Sequence, residues 1–257
     1  MGASLGTKIR ILCRVTKIIK NWHMFVVLYF HLAKGVVVLE TRNGIKISLR
    51  AASTDLMAFI NVWILHEYLK PGFEIKDDDI IIDIGAHVGL FALYAAQYCK
   101  TGKIFCFEPI KDNFDLLVEN IHLNKLTNVS CFNNAVSGKD KAVKIYLNSV
   151  DQAAHSVYGI GGEYVEVNAI TLNHIIDTNQ IKVCNLLKLD CEGSEYEIFQ
   201  STPDDYLQKI QKICMEYHIL KNNYEPLYIL KKRLLSLNFQ IIDNSTTKNL
   251  GMLYAKK

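Results

Sequence analysis

The fold of this chain is predicted by residues 79–89, which read Asp-Ile-Ile-Ile-Asp-Ile-Gly-Ala-His-Val-Gly. Such a continuous β-branched run is typical of a strand buried on both faces, as in parallel sheets covered by helices. Gly85 and Gly89 bracket a turn, and apolar residues at helical spacing follow over residues 90–98. A strand, a glycine turn and a helix form the unit that lets the backbone approach a nucleotide closely.

The second half of this nucleotide-binding unit follows directly. Residues 103–107 are predicted to form the next strand, and Glu108 stands at its end, 108 − 83 = 25 residues after Asp83. An acidic residue at this tip can accept hydrogen bonds from both ribose hydroxyls of an adenosine. A capping or solvated glutamate is the alternative. The glycine spacing fits neither the dinucleotide pattern nor the phosphate loop. The glycine turn and the acidic tip, found in this order, together favour adenosine binding.

The remaining strands extend the sheet. Short apolar runs are predicted as strands at residues 129–132, 185–189, 212–215, 239–242 and 252–255, with helical stretches between the earlier ones and a polar loop between the last two. The sequence therefore predicts an α/β fold with a doubly wound seven-stranded sheet that ends in an antiparallel pair. Ligands of such sheets bind outside the carboxyl ends of the strands, and the polar residues found there are Asp83, Glu108, Asn134, Asp190 and Glu216.

Composition limits the classes of protein to consider. The chain has 257 residues, 50% of them hydrophobic, and its net charge of +3 is too small to imply nucleic-acid binding. Its seven cysteines are scattered without a C-x-x-C pair. We interpret them as small buried side chains in a reducing cytosol, in preference to a disulfide framework or a zinc site.

The N-terminal segment joins a basic stretch to a short apolar one. Five basic residues up to Lys20 precede the apolar run over residues 22–33, which is shorter than the roughly 20 residues that span a bilayer. No small-x-small cleavage site closes this run. We expect a helix packed on the domain, with weak attachment to a membrane surface as the alternative. Asn43-Gly44 between two alternating runs predicts a β-hairpin, and apolar spacing predicts a helix over residues 55–69.

From about Leu49 onward the chain resembles the FkbM family of S-adenosylmethionine-dependent methyltransferases. The resemblance is carried by Asp83–Gly89, Phe107–Pro109, Asn134–Ser137, Ala169–Leu172, Lys188–Glu195 and Met215–His218. The Lys-x-Asp-x-Glu-Gly-x-Glu segment is the most specific of these. The family usually has asparagine where His87 stands, a departure that concerns the side chain and not the backbone turn.

The resemblance implies a Rossmann-like class I methyltransferase domain over residues 71–257. Residues 1–70 would then form a small addition of helices and a β-hairpin packed on that core. The implied cofactor is S-adenosylmethionine, and the reaction is O-methylation of a sugar, a glycan or a small natural product, as in polysaccharide biosynthesis. The residues expected to bind the cofactor are Asp83, Gly85, Ala86, His87, Gly89, Glu108, Pro109, Asn134 and Ala135.

Transfer of a methyl group to a hydroxyl needs alignment and a base for the hydroxyl proton. The candidate catalytic residues near the strand tips are Asp190, Glu192, Glu216 and His218. Asp190 and Glu192 share one face of an extended segment, and two carboxylates that close raise the pKa of one of them. The alternative is that Asp190 or Ser194 caps the helix beginning at Glu195. Carboxylates suit Mg²⁺, but we assign no metal ion.

An insertion over residues 141–171 separates the third strand from the strand at residue 185. Its two ends alternate and can pair, while residues 151–162 contain His155, a second candidate base. A segment of this length is typical of a lid, here one that would face a sugar. A surface loop without a role in binding is the alternative.

Two rival functions fit the same scaffold. A nucleotide- or nucleic-acid-binding protein is disfavoured because the Asn-Pro-Pro-Tyr-type motif is absent and basic residues are not concentrated near the site. A scaffold that only binds partners is disfavoured because nothing structural requires both Glu108 and Glu192. We therefore expect a small-molecule or sugar acceptor and no nucleic acid. The expected location is the cytoplasm, with weak membrane-surface contact as an addition.

Overall fold

The computed structural model describes residues 5–146, 163–219 and 222–257. In this part of the chain the helices are α1 (Leu5–Ile18), α2 (Trp22–Tyr29), α3 (Asp55–Phe59), α4 (Leu90–Ala95), α5 (Lys111–Leu123), α6 (Leu172–Thr178), α7 (Glu195–Ser201), α8 (Asp204–Gln208) and α9 (Glu225–Ser236), with a π-helical turn at Ile60–Ile64. The strands are β1 (Val36–Glu40), β2 (Lys46–Arg50), β3 (Ile80–Ile84), β4 (Lys103–Phe107), β5 (Val129–Phe132), β6 (Ala135–Val136), β7 (Ala142–Tyr146), β8 (Tyr164–Ile170), β9 (Leu186–Leu189), β10 (Lys212–His218), β11 (Gln240–Ser245) and β12 (Leu250–Lys256).

Seven strands form the central sheet in the order β11-β12-β10-β9-β3-β4-β5. The five strands from β10 to β5 are parallel, and β12 runs antiparallel between β10 and β11. The predicted doubly wound sheet with a terminal antiparallel pair is therefore confirmed. Chain order reverses between β3 and β9, and this switch point is where ligands bind in open α/β sheets.

The strands at the switch point are buried on both faces. Along β3, Ile81 packs into one hydrophobic cluster, whereas Ile82 and Ile84 pack into a second cluster on the other face. Leu186 and Leu187 of β9 divide between the clusters in the same way. Because both faces of these strands are buried, the sequence shows a continuous apolar run and not an alternation of apolar and polar residues.

The N-terminal residues form a layer on one face of the sheet. The predicted hairpin is confirmed as the antiparallel pair β1–β2, and the apolar segment begins as the short helix α2, which ends at Tyr29 and not at residue 33. The helix predicted over residues 55–69 also ends early, because the π-helical turn closes at Ile64 and His66 adopts a left-handed conformation, with φ of 52°. No described helix is both long and apolar enough to cross a bilayer.

This layer shares its hydrophobic core with the sheet. Val15, Ile19 and Phe25 belong to the same buried cluster as Phe91 of α4 and Ile104 of β4. The domain boundary at residue 70 stays a prediction, since the core runs continuously across it.

The insertion after β5 builds a second, three-stranded sheet in the order β6-β8-β7. Its strands β7 and β8 pair antiparallel, as the alternation of their residues predicted. The expected lid over residues 151–162, including His155, lies outside the described residues.

Candidate functional site

A cavity of about 300 Å³ opens at the carboxyl ends of β3, β4, β9 and β10. Nine of the residues predicted from sequence line it: Gly85, Ala86, His87, Glu108, Pro109, Ala135, Asp190, Glu192 and Glu216. The other four do not: Asp83, Gly89, Asn134 and His218. The site therefore brings the glycine turn, the acidic tip of β4 and the carboxylates after β9 and on β10 to one cavity.

The glycine turn is held against its two neighbouring strands. The backbone N–H groups of Gly85 and Ala86 both donate to the carbonyl of Phe107, each at 3.0 Å. Gly85 has φ of +73°, and a Cβ there would lie 1.8 Å from the carbonyl oxygen of Asp190. This glycine is needed because the backbone following β9 occupies the space of a side chain. The sequence pattern suggests a different reason, namely that a glycine lets the backbone approach the cofactor closely.

Gly89 has a packing role at the other end of the turn. Its φ is +84°, and a Cβ there would meet the Leu117 side chain of α5 at 2.6 Å. The residue caps α4 in a left-handed conformation, which glycine adopts without steric cost. Its predicted direct contact with the cofactor is not supported by this placement, because Gly89 lies outside the lining of the cavity.

Glu108 lies at the tip of β4 with 4% of its surface exposed. Its Oε2 accepts a hydrogen bond from the backbone N–H of His87 at 2.9 Å, and its Oε1 accepts one from the N–H of Ile110 at 2.9 Å. Burial raises the pKa of Glu108 to about 7, although these hydrogen bonds favour ionisation. The carboxylate is therefore fixed at the rim, and Oε2 keeps a lone pair for a ligand hydroxyl.

We predict that Glu108→Gln weakens binding of S-adenosylmethionine about 10- to 100-fold, the usual contribution of hydrogen bonds to a charged group. If the ionised form binds the ribose, wild-type affinity should also fall as the pH drops below about 7, where Glu108 takes up its proton. Titration calorimetry from pH 5.5 to 8.5 measures both effects. An unchanged affinity in a folded variant, or a pH profile shared by wild type and variant, would remove Glu108 from the cofactor site.

His87 stands beside a buried ion pair on the N-terminal side of the cavity. Arg50 binds both carboxylate oxygens of Asp55, at 3.0 and 2.8 Å, and His87 Nε2 lies 3.6 Å from Asp55 Oδ1. Burial lowers the pKa of His87 to about 4, although Asp55 acts in the opposite direction. The imidazole is therefore neutral, and its buried Nδ1 has no hydrogen-bond partner among the described residues. A polar group of a bound ligand can satisfy it.

Asp83, predicted to contact the cofactor, lies behind the cavity wall. Its side chain has no exposed surface, and Oδ1 is 3.1 Å from Nζ of Lys188, its register partner on β9. Lys188 also donates to the carbonyl of Gly85 at 2.7 Å. Burial opposes the charge of Lys188, but Asp83 and Asp190 raise its pKa. The pair therefore fixes the glycine turn from below, and the direct-contact role for Asp83 is not supported by this placement.

Asp190 occupies the loop after β9 and lines the cavity. Its Oδ2 accepts a hydrogen bond from the hydroxyl of Tyr68 at 2.7 Å. The side chain of Ser194 makes no cap hydrogen bond to α7, whereas Glu195 Oε1 accepts one from the backbone N–H of Cys191 at 3.1 Å. The next acidic residue, Glu192, has φ of +53° and lines the cavity. A non-glycine residue in this conformation costs about 1–3 kcal/mol and is frequent at binding sites.

His218, at the end of β10, is surrounded by carboxylates. Glu195 Oε1 lies 3.2 Å from its Nδ1, and Glu192 Oε2 lies 3.2 Å from its Nε2. Burial disfavours the charged imidazole, but the hydrogen bond to Glu195 and the surrounding negative charges raise its pKa to about 10. His218 is thus a cation at neutral pH and cannot accept a proton, contrary to the base role considered from sequence. Burial and the charge of Asp190 raise the pKa of Glu216 to about 8.

The state of His218 predicts a pH dependence of stability. Because its folded pKa exceeds the unfolded value of 6.5, its stabilising effect is complete below about pH 6.5 and is lost as the pH rises through 10. The difference in unfolding free energy between wild type and His218→Gln should therefore be largest at pH 6 and shrink toward pH 10. Urea denaturation at several pH values measures this. A difference that stays constant over this range would mean a neutral imidazole.

Ligand atoms of Asp190, Glu192 and His218 all lie within 4.8 Å of one another, so these three residues could hold a divalent cation. A metal ion bound there would have to displace the proton of His218, because a protonated imidazole has no lone pair for it. The assignment of no metal stays a prediction, under which activity persists after treatment with a chelator.

Sequence reasoning missed one wall of the cavity. This wall comes from α3, the π-helical turn and the segment after it, through Thr54, Met57, Ala58, Asn61, Val62 and Tyr68. The π-helical turn is tied to α4, since Trp63 Nε1 donates to the carbonyl of Leu90 at 3.1 Å. Single π-helical turns are frequent at functional sites, but periodicity does not separate them from an α-helix.

A parallel α/β sheet with a glycine turn, an acidic second tip and a polar cavity at its switch point defines a nucleotide-binding enzyme scaffold. The family model described as "Methyltransferase FkbM domain" matches residues 83–240. The chain thus belongs to the FkbM family of S-adenosylmethionine-dependent methyltransferases.

Individual relatives agree with this assignment. The chain is 23% identical over 214 residues to the 31-O-demethyl-FK506 methyltransferase FkbM of Streptomyces tacrolimicus, covering 71% of this chain and 82% of the relative. It is 25% identical over 147 residues to the hexuronic acid methyltransferase AglP of Haloferax volcanii, covering 56% of this chain and 58% of that protein. The crystal structure of methyltransferase FkbM from Methylobacillus flagellatus superimposes with a TM-score of 0.52 at 14% identity, covering 97% of this chain and 59% of that one. The chain thus spans less than two thirds of the last two proteins.

The cofactor of the protein is S-adenosylmethionine, and the residues of the cavity fit it. The buried Nδ1 of His87 has no partner among the described residues, and Glu108 Oε2 can accept a further hydrogen bond; a nucleoside amino acid supplies polar groups for both.

Proposed function

We propose that the protein transfers the methyl group of S-adenosylmethionine to a hydroxyl oxygen of a sugar, a glycan or a small natural product. The observation that carries the proposal is the position of Asp190. This residue lines the same cavity as Gly85 and Glu108, and the hydrogen bond from Tyr68 fixes its carboxylate. A fixed carboxylate beside a cofactor cavity is the group needed to take the proton of an acceptor hydroxyl.

The cofactor, when bound, supplies an electrophilic methyl group. We assign the removal of the hydroxyl proton to Asp190, because His218 is already protonated at neutral pH. Glu216, whose pKa is raised to about 8, carries a proton at pH 7 and can donate a hydrogen bond to an oxygen of the acceptor. Glu192 lines the cavity next to both and is oriented by its ion pair with His218.

The proposed acceptor class follows from the polarity of this end of the cavity and from the relatives. Asn61, Glu192 and Glu216 offer donors and acceptors to an acceptor with several hydroxyls. One relative is named for a hexuronic acid and another for an oxygen of the FK506 molecule, which supports oxygen as the methylated atom.

The test is transfer of labelled methyl from S-adenosylmethionine to a panel of uronic acids, oligosaccharides, polyketide alcohols and unmodified transfer RNA. Label should enter a hydroxyl-bearing compound as an alkali-stable methyl ether, identified by mass spectrometry. Label in a carboxylate ester, in nitrogen or only in RNA would overturn the proposal.

A further inference from the structure

The charge of the chain is divided unequally. Residues 1–39 contain six lysines and arginines and no aspartate or glutamate, whereas residues 40–257 contain the other 23 basic residues and all 26 acidic ones. Residues 1–39 therefore carry +6 and the remainder 23 − 26 = −3. A local charge of this size can direct the association of a protein with an anionic surface.

Large apolar side chains are exposed in the same layer. Phe30 and Leu32, which follow α2, are 63% and 74% exposed, and Val36 at the start of β1 is 51% exposed. The ring of Tyr29 contacts that of Phe30 edge to face, with centroids 5.4 Å apart. Trp22 at the start of α2 and Ile9 on α1 are also exposed, at 42% and 56%. Contiguous exposed apolar residues mark interaction sites more often than isolated ones do.

The layer that presents these residues is firmly attached to the domain. Val15 and Ile19 of α1 have no exposed surface, and Arg14 donates to the carbonyl of Ile64 at 2.8 Å. Arg42 in the hairpin turn donates twice to the carbonyl of Thr16. Arg14 and Arg42 thus hold α1 in place, and the layer is anchored to the domain.

Other basic side chains of the layer are available for a partner. Arg10, Lys17 and Lys34 are exposed, and within the described part of the chain none of them forms an ion pair with a carboxylate, whereas Lys20 is paired with Glu40. Basic groups beside exposed aromatic and aliphatic ones are the composition of helices that lie in the headgroup region of a bilayer.

We propose that the N-terminal layer, formed by α1, α2 and the turn over residues 30–35, docks on the surface of a bilayer that contains anionic lipids. Phe30 and Leu32 enter the boundary of headgroups and acyl chains, while Arg10, Lys17 and Lys34 contact lipid phosphates. A nucleic acid would use the basic groups and could stack a base on Phe30, but it would leave Leu32 and Val36 in water. A lipid surface uses both the charge of the layer and its apolar residues.

The test is sedimentation of the full chain with vesicles of phosphatidylcholine, with or without phosphatidylglycerol. We expect binding only to the anionic vesicles, with a bound fraction that falls as salt screens the charges. Phe30→Ser with Leu32→Ser should weaken binding at least tenfold. Replacing Arg10, Lys17 and Lys34 by glutamate should weaken it by roughly fivefold or more for each residue.

Matched controls distinguish a specific effect of this surface on vesicle binding from the effects of exposed apolar residues and net charge in general. Tyr228 and Ile229 on α9 are 61% and 56% exposed, and Tyr228→Ser with Ile229→Ser should leave binding unchanged. Changing the exposed Lys103, Lys139 and Lys141 to glutamate alters the net charge equally and should have a much smaller effect. Circular dichroism confirms that each variant is folded. Absence of binding to anionic vesicles, equal binding to neutral ones, or equal losses in variants and controls would overturn the proposal, as would binding of RNA alone.

Discussion

Replacing Gly85 by alanine should lower the free energy of unfolding by more than about 4 kcal/mol, a size reached only when a substitution disrupts packing or backbone geometry. The added Cβ would lie 1.8 Å from the carbonyl oxygen of Asp190, and neither backbone can yield alone. The turn donates to Phe107 and its own carbonyl accepts from Lys188. Relief of the clash therefore separates the ends of β3 and β9 and opens the cavity.

The hairpin provides the control for this experiment. Gly44 also has a positive φ, of +90°, but nothing lies within 4 Å of a Cβ placed there. Gly44→Ala should therefore cost only about 1 kcal/mol, the cost of the left-handed backbone for an L-residue. Urea denaturation of the two variants measures the difference. Equal losses of unfolding free energy in the two variants would show that the left-handed backbone conformation, and not the clash with Asp190, explains the need for Gly85. Unimpaired cofactor binding by Gly85→Ala would contradict the described packing.

The second large effect concerns Asp190. We expect Asp190→Asn to lower the rate of methyl transfer to the true acceptor at least about 100-fold, the usual contribution of a positioned base. Asparagine keeps the size of the side chain and an oxygen that can accept from Tyr68, but it cannot take a proton. Binding of S-adenosylmethionine should stay within a few-fold of wild type. Single-turnover rates and titration calorimetry separate the two quantities.

Three further variants define the role of the carboxylate. Tyr68→Phe removes only the hydroxyl that orients Asp190 and should reduce the rate by less than Asp190→Asn does. Glu192→Gln should also reduce transfer about 100-fold if it holds the acceptor, whereas the exposed Asp205→Asn should have no effect. Wild-type rates in both Asp190→Asn and Glu192→Gln would require a different base.

Much of the sheet could be predicted because burial on both faces leaves a clear pattern in the sequence. The isoleucines of β3 and the acidic tips at Glu108 and Asp190 predicted a parallel sheet that binds its ligand at the carboxyl ends of the strands. The sequence carries one further signal of the site, at Lys188. Lys188 is charged within the buried strand Leu186–Leu189, and such a lysine needs a partner on a neighbouring strand. Asp83 is its register partner.

Other parts of the site depend on contacts that no local pattern encodes. Tyr68 reaches Asp190 across 122 residues, and its position depends on how the N-terminal layer folds back over the sheet. The charge state of His218 depends on Glu195 of α7 and on Glu192 and Asp190 in the loop between β9 and α7. A residue that looks like a base in sequence is thus made a cation by its surroundings.

The interior position of β12 has a consequence for how the chain folds. This strand follows β10 and β11 in sequence but lies between them in the sheet, so neither can complete its hydrogen bonds until residues 250–256 have left the ribosome. Until then β10 presents an open edge on which other chains can add. The nascent protein is therefore open to misassembly until residues 250–256 are synthesised, and a chaperone that covers this edge would act at that stage.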